Sequence, residues 1–121
     1  MIEIATQIDL SVRLVIAALL GLAIGFEREI HGHPAGLRTH MLVSGAAALL
    51  VLLGQVMVKN YDAKLVSLLT SDPIRIIEGI ITGVSFLGAG TIIRNHRDRN
   101  QVEGLTTAAS LLLAAAIGIS V

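Results

Sequence analysis

"LVIAALLGLAIGFEREIHGHPAGLRTHMLVSGAAALLVLLGQVMV", residues 14–58, decides the fold. Residues 14–26 carry no ionisable group, and neither do residues 41–58. The fourteen positions between them, 27–40, hold seven charged or histidine side chains. A helix that crosses a bilayer needs about 20 mostly apolar residues, since each adds about 1.5 Å toward a hydrocarbon core of about 30 Å. Two apolar runs on either side of one polar bend therefore predict a helical hairpin in lipid.

Composition points the same way. The chain has 121 residues, room for one domain, and 54% of them are hydrophobic against 15% charged. Its mean hydropathy is +0.79. A soluble domain this small exposes too much of its chain to hide that apolar surface, so the expected solvent is lipid. Nine basic residues balance nine acidic ones, which leaves no electrostatic footprint for nucleic acid. With no cysteine, disulfides, thiolate metal sites and a cysteine nucleophile are excluded. Phe26, Tyr61 and Phe86 are the only aromatics, so the interfacial aromatic belt is nearly missing. The segment before the first apolar run carries Glu3 and Asp9, where a signal peptide would be basic.

Working outward gives four spans, over about residues 9–28, 37–58, 73–93 and 105–121. Asp72 before Pro73 marks the third start, because an acidic N-cap precedes a proline whose missing N–H costs nothing at the first helical position. Asn100 and Glu103 have capping-box spacing and can start the fourth helix within the polar connection. Residues 29–36 and 94–104 form short connections. The longer one, 59–72, contains "KLVSLL" (64–69), which suits a short interfacial turn with Tyr61 as anchor. Arg28, Arg38, Arg94, Arg97 and Arg99 flank the short connections, and Arg13, Lys59, Lys64 and Arg75 the other face. Five against four favours short connections in the cytoplasm and the N-terminus outside.

An internal repeat links the hairpins. On a shift of 68, "GLRTH" (36–40) lies over "GLTTA" (104–108); on a shift of 62, Arg13 and Gly21 lie over Arg75 and Gly83. Both hairpins then cross in the same sense, a parallel repeat about the membrane normal. The expected fold is an all-α integral membrane protein of four transmembrane helices, built as two parallel-repeat hairpins in one domain. Small residues at four-residue spacing, Ala17, Gly21 and Gly25 on the first span and Gly79 and Gly83 on the third, predict close helix packing. That packing can lie within one chain or between two, so a homodimer is expected.

Three ordered motifs, "GFERE…AGLRTHMLVSGAAALL", "DPIRIIEGIITGVSFLGAGTIIR" and "VEGLTTAASLLLAAAIG", resemble the MgtC/SapB family of bacterial inner-membrane proteins. The resemblance spans residues 21–118. By motif, the family's characteristic positions fall on Glu27, Arg28, Ala35, Gly36, Leu37, Arg38 and Thr39, then on Gly83, Phe86, Leu87, Gly88, Ala89 and Gly90, then on Gly104, Leu105, Thr106 and Thr107. It implies an inner-membrane location with the N-terminus outside. It also implies a role in magnesium-limited growth, membrane-potential or ATP homeostasis, and survival of pathogens in their hosts. Many members add a fifth span and a C-terminal cytoplasmic domain, so this chain is expected to be a short or truncated member lacking that domain.

The glycines, Gly88 and Gly90 included, are read as packing positions. Glu27, Arg28, Arg38, Thr39, Thr106 and Thr107 form a candidate polar cluster with two readings. They snorkel separately into the headgroups, or they combine with the helix starts at "GLRT" and "GLTT" to attract an anion such as a lipid phosphate or a partner's carboxylate. In the second reading Glu27 and Arg38 pair and lock the hairpin. Arg13, Arg75 and Glu78 are a candidate intramembrane ion pair, since an acid inside a span needs an offsetting charge. His31, His33 and His40 are read as a solvated bend and not as a metal site. No nucleophile motif, P-loop or H-E-x-x-H is present, so no enzyme activity, cofactor or metal is expected. The leading functional expectation is a regulator resembling MgtC that contacts lipid and another inner-membrane protein. The alternative is a small transporter or channel for magnesium or another cation.

Overall fold

In the computed structural model, residues 3–60, 73–94 and 101–121 are described. They form four helices: α1 (Ile4–Ile30), α2 (Leu37–Asn60), α3 (Pro73–Arg94) and α4 (Gln101–Ser120). Among the described residues there is no strand. By length and apolar composition α1, α2 and α3 can each cross a membrane, and α4 contributes the shorter apolar run Gly104–Ser120. Large side chains such as Leu19, Leu42, Leu53, Phe86 and Leu113 are exposed around the outside. In water that surface would be untenable, whereas lipid accepts it. This is an all-helical membrane bundle.

The helices extend past the apolar runs. α1 begins five residues earlier than the apolar pattern suggests, at Ile4, and continues through Glu27 and Arg28 to Ile30. Its end is chemically determined. Gly32 takes φ +72, a left-handed conformation that costs glycine nothing. The Gly32 N–H then bonds the Glu29 carbonyl at 3.1 Å and the His33 N–H bonds the Arg28 carbonyl at 3.1 Å. This is a Schellman closure, with Pro34 just beyond it. α4 opens at Gln101, close to the predicted capping box. Asp72, Asn100, Tyr61 and "KLVSLL" lie outside the described residues.

α2 and α4 form the centre, each touching all three other helices, while α1 and α3 pack on that pair rather than on each other. The Cβ-less face of α1 lies directly on the backbone of α2. A Cβ at Gly21 would come within 2.5 Å of the His40 carbonyl oxygen, and one at Gly25 within 2.6 Å of Leu37 Cα. Gly118 of α4 presses equally closely on the backbone of α2 at Ser44. Such approaches replace the missing hydrophobic drive between helices in lipid.

The hairpins cross in the same sense, but their inward faces align one residue away from the sequence repeat. Ala17, Gly21 and Gly25 of α1 are buried, and so are Ile80, Val84 and Gly88 of α3. Likewise His40, Ser44, Ala47 and Ala48 correspond in burial to Thr107, Leu111, Ala114 and Ala115. Gly79, Gly83 and Gly90 therefore fall on the exposed side of α3 and meet nothing within 4 Å among the described residues. Of the two alternatives, packing within the chain is not seen for these three among the described residues. Among the described residues, Gly88 is the α3 glycine that packs, against Ala108. One residue turns a helix by about 100°, enough to move a stripe from inside to outside.

Candidate functional site

The buried polar groups gather at the end of the bundle where α1 finishes and α2 and α4 begin. Arg28 continues the inward stripe of Ala17, Gly21 and Gly25, which carries its guanidinium into the bundle, 5% exposed. Its Nη2 donates to Thr107 Oγ1 of α4 at 2.7 Å. His40, on the first turn of α2, is completely buried. Its Nδ1 donates to the Gly36 carbonyl at 2.8 Å; a carbonyl can only accept, so the proton sits on Nδ1. Its Nε2 lies 2.9 Å from Ser110 Oγ, and that hydroxyl is also 2.8 Å from the Thr107 carbonyl. One turn deeper, Ser44 Oγ donates to the Ala17 carbonyl at 2.7 Å. Three helices are thus tied by side-chain bonds within a few turns of one end.

The predicted polar cluster divides. Arg28 and Thr107 meet, whereas Glu27, Arg38, Thr39 and Thr106 are exposed. The Glu27–Arg38 lock is corrected. Glu27 instead faces His31, with Oε1 at 3.2 Å from Nδ1, because both lie on one face of α1 a turn apart. The hairpin is held by Glu29, whose Oε2 accepts the Leu37 N–H at 3.3 Å and places negative charge at the start of α2. Glu29→Ala is expected to lower stability by about 1 kcal/mol. Glu27→Ala and Arg38→Ala should combine additively within about 0.5 kcal/mol. Thermal unfolding in detergent of the single and double variants measures both; a clear Glu27–Arg38 coupling would restore the lock.

The predicted intramembrane ion pair is not assembled either. Arg13 Nε bonds Asp9 Oδ2 at 2.9 Å, and its Nη1 reaches the Val121 carbonyl at 3.3 Å. Arg75 and Glu78 are exposed on α3, and among the described residues neither joins an ion pair. Asp9 sits one turn from Arg13 on its own helix, while α3 packs elsewhere. Of the three histidines assigned to a solvated bend, His31 is exposed and His33 half-buried, but His40 belongs to the core. Sequence reasoning did not single out Ser44, and it read Ser110, with Ala114 and Gly118, as a packing position and His40 as part of the bend, not as a hydrogen-bonded pair. Their signal was spacing: His40, Ser44 and Ala48, like Thr107, Ser110 and Ala114, place polar residues in stripes of small ones.

A family model described as "MgtC family" matches residues 14–121. The chain belongs to the MgtC family. Among its MgtC-family relatives is "Putative magnesium transporter YhiD" of Escherichia coli (strain K12), 41% identical over 110 residues, which cover 89% of this chain and 48% of that protein. Protein SapB of Bacillus subtilis (strain 168) is 35% identical over 112 residues, 93% of this chain and 47% of the relative. Protein MgtC of Brucella abortus (strain 2308) is 39% identical over 103 residues, 85% of this chain and 38% of the relative. The chain thus spans about half the length, or less, of these curated relatives. No solved structure matches it. The matched range takes in the whole Arg28–His40–Thr107 arrangement, so the buried cross-link lies within the part shared with MgtC-family proteins.

Proposed function

We propose that the chain is a non-enzymatic regulator of the MgtC type in the bacterial inner membrane. In this reading it supports growth under magnesium limitation, and with it membrane-potential and ATP homeostasis, through protein contacts inside the bilayer. In a pathogen this role would bear on survival in the host. The observation that carries the reading is the position of the buried polar groups. Arg28, His40, Thr107 and Ser110 tie helices at one end, and deeper in the centre the core is Ala47, Ala48, Leu52, Ala114 and Ala115. A conduction path needs polar groups through the full thickness, whereas a scaffold needs them only where helices are fixed. The exposed side of α3, with Gly79, Gly83 and Gly90, is a surface on which a second copy or another inner-membrane protein can approach closely.

The second reading, a small cation transporter, is favoured by the printed name of the Escherichia coli K12 relative. Growth tests the magnesium-linked role common to both, and ion flux separates them. A strain lacking the gene should grow slowly only at low magnesium and recover with a plasmid copy. Purified protein in liposomes should pass Mg²⁺, Na⁺ and K⁺ no faster than empty vesicles. Selective flux would overturn the regulator reading in favour of transport.

In the proposed reading the N-terminus lies outside, with residues 29–36 and 94–104 in the cytoplasm, as the balance of basic residues favours. Because the chain has no cysteine, His33→Cys and Asn60→Cys give single labelling sites. An impermeant reagent applied to intact spheroplasts should label position 60 and spare position 33. The reverse pattern would invert the orientation, and equal labelling would break the four-span layout.

A further inference from the structure

Arg28 is the only buried side chain with a permanent charge among the described residues. Arginine keeps that charge at any pH the protein meets. Its Nη2 has Thr107, but its Nε is enclosed without any partner. The neighbouring carboxylates are engaged elsewhere, Glu27 with His31 and Glu29 with the Leu37 N–H. Buried charges in proteins are paired, because an enclosed ion without a counter-ion loses its hydration and gains little in return.

Depth narrows the class of counter-ion. Arg28 lies two residues before the end of α1, about 3 Å along the axis at about 1.5 Å per residue. That is the level where a spanning helix leaves the hydrocarbon and meets lipid headgroups. Guanidinium binds phosphate through two parallel N–H donors, and the unpartnered Nε supplies one of them. We infer that Arg28, oriented by the Thr107 hydroxyl, is a binding site for a phosphate oxyanion, carried by a lipid headgroup or free in solution. The exposed Arg38 is not part of it. This inference is independent of the functional reading above, since it concerns occupancy of a site and not the physiological role.

The test uses the purified full chain in neutral detergent and follows thermal unfolding. Inorganic phosphate is titrated at constant ionic strength against chloride and glutamate, and phosphatidylglycerol is compared with phosphate-free diacylglycerol. Ligand that binds only the folded state raises the unfolding temperature. Phosphate or phosphatidylglycerol should stabilise the native chain and the Arg38→Gln variant alike. In Arg28→Gln the affinity should fall about tenfold or more, as expected for a lost charge-assisted bond. A response to phosphatidylglycerol alone identifies the lipid headgroup as the source, and a response to both identifies the phosphate group itself. If Arg28→Gln does not fold, Thr107→Val keeps the charge and should weaken binding about threefold or more. The inference is overturned if neither probe shifts the native chain, if chloride or glutamate shifts it equally, or if the shift survives both substitutions.

Discussion

Gly25→Ala is expected to cost about 3 kcal/mol or more, the upper end of overpacking penalties, and to leave little correctly folded protein. The new Cβ would stand 2.6 Å from Leu37 Cα and 2.7 Å from the Gly36 carbonyl oxygen. Both obstacles are backbone, so no rotamer change relieves them and α2 must move as a unit. Moving α2 also pulls the Leu37 N–H from Glu29 and His40 from Ser110. Gly21→Ala should behave similarly, with the His40 carbonyl oxygen at 2.5 Å. Gly79→Ala and Gly83→Ala supply the contrast, since a Cβ there meets nothing within 4 Å. They should be neutral or stabilising by up to about 1 kcal/mol through helix propensity. Fluorescence-detected size exclusion and melting in detergent read all four. Equal tolerance at Gly25 and Gly83 would mean that α1 and α2 are not packed as described.

The second large effect belongs to His40. His40→Ala removes a fully buried ring, opens a cavity, and leaves Ser110 without its cross-helix partner. A loss of about 2–4 kcal/mol is expected, mostly from the cavity, since the Ser110 hydroxyl keeps the Thr107 carbonyl. His31→Ala should change stability by less than about 0.5 kcal/mol, because that side chain is exposed. A cycle with Ser110→Ala isolates the His40–Ser110 bond. Cross-helix bonds in membranes average about 0.6 kcal/mol and reach about 1.7, so the coupling should fall in that range. If His40→Ala melts like His31→Ala, the histidine is not a core residue and the bend reading returns.

The spans themselves were legible because lipid demands long apolar runs, and residues 14–26 and 41–58 leave no other reading. The end of α1 was legible in kind, since Gly32 and Pro34 are stop signals whatever the solvent. What hydropathy did not reveal was rotation, although the small-residue spacing of Ala17, Gly21 and Gly25 marked the packed face of α1. In water, large apolar residues mark the inward face; here Leu19, Leu20 and Phe26 face outward and Ala17, Gly21 and Gly25 face inward. A hydropathy pattern cannot separate those faces when both are apolar. Arg28 and Arg38 therefore looked equivalent, two arginines at two helix ends. Only continuing the stripe of small residues to position 28 tells them apart. On α3 the small-residue spacing of Gly79 and Gly83 does not mark the packed stripe, which runs one residue on through Ile80 and Val84.

The bond from Arg28 to Thr107 joins positions 79 apart in the chain. A ribosome delivers these helices in order, so α1 enters the bilayer long before its hydroxyl partner has been made. Until α4 arrives, the guanidinium has only water and headgroups to turn to, and both lie at the membrane edge. The first hairpin can close at once on its glycines, but its charged end is sealed only when α4 supplies Thr107. Assembly of this bundle therefore waits on α4, as a clasp waits on its catch.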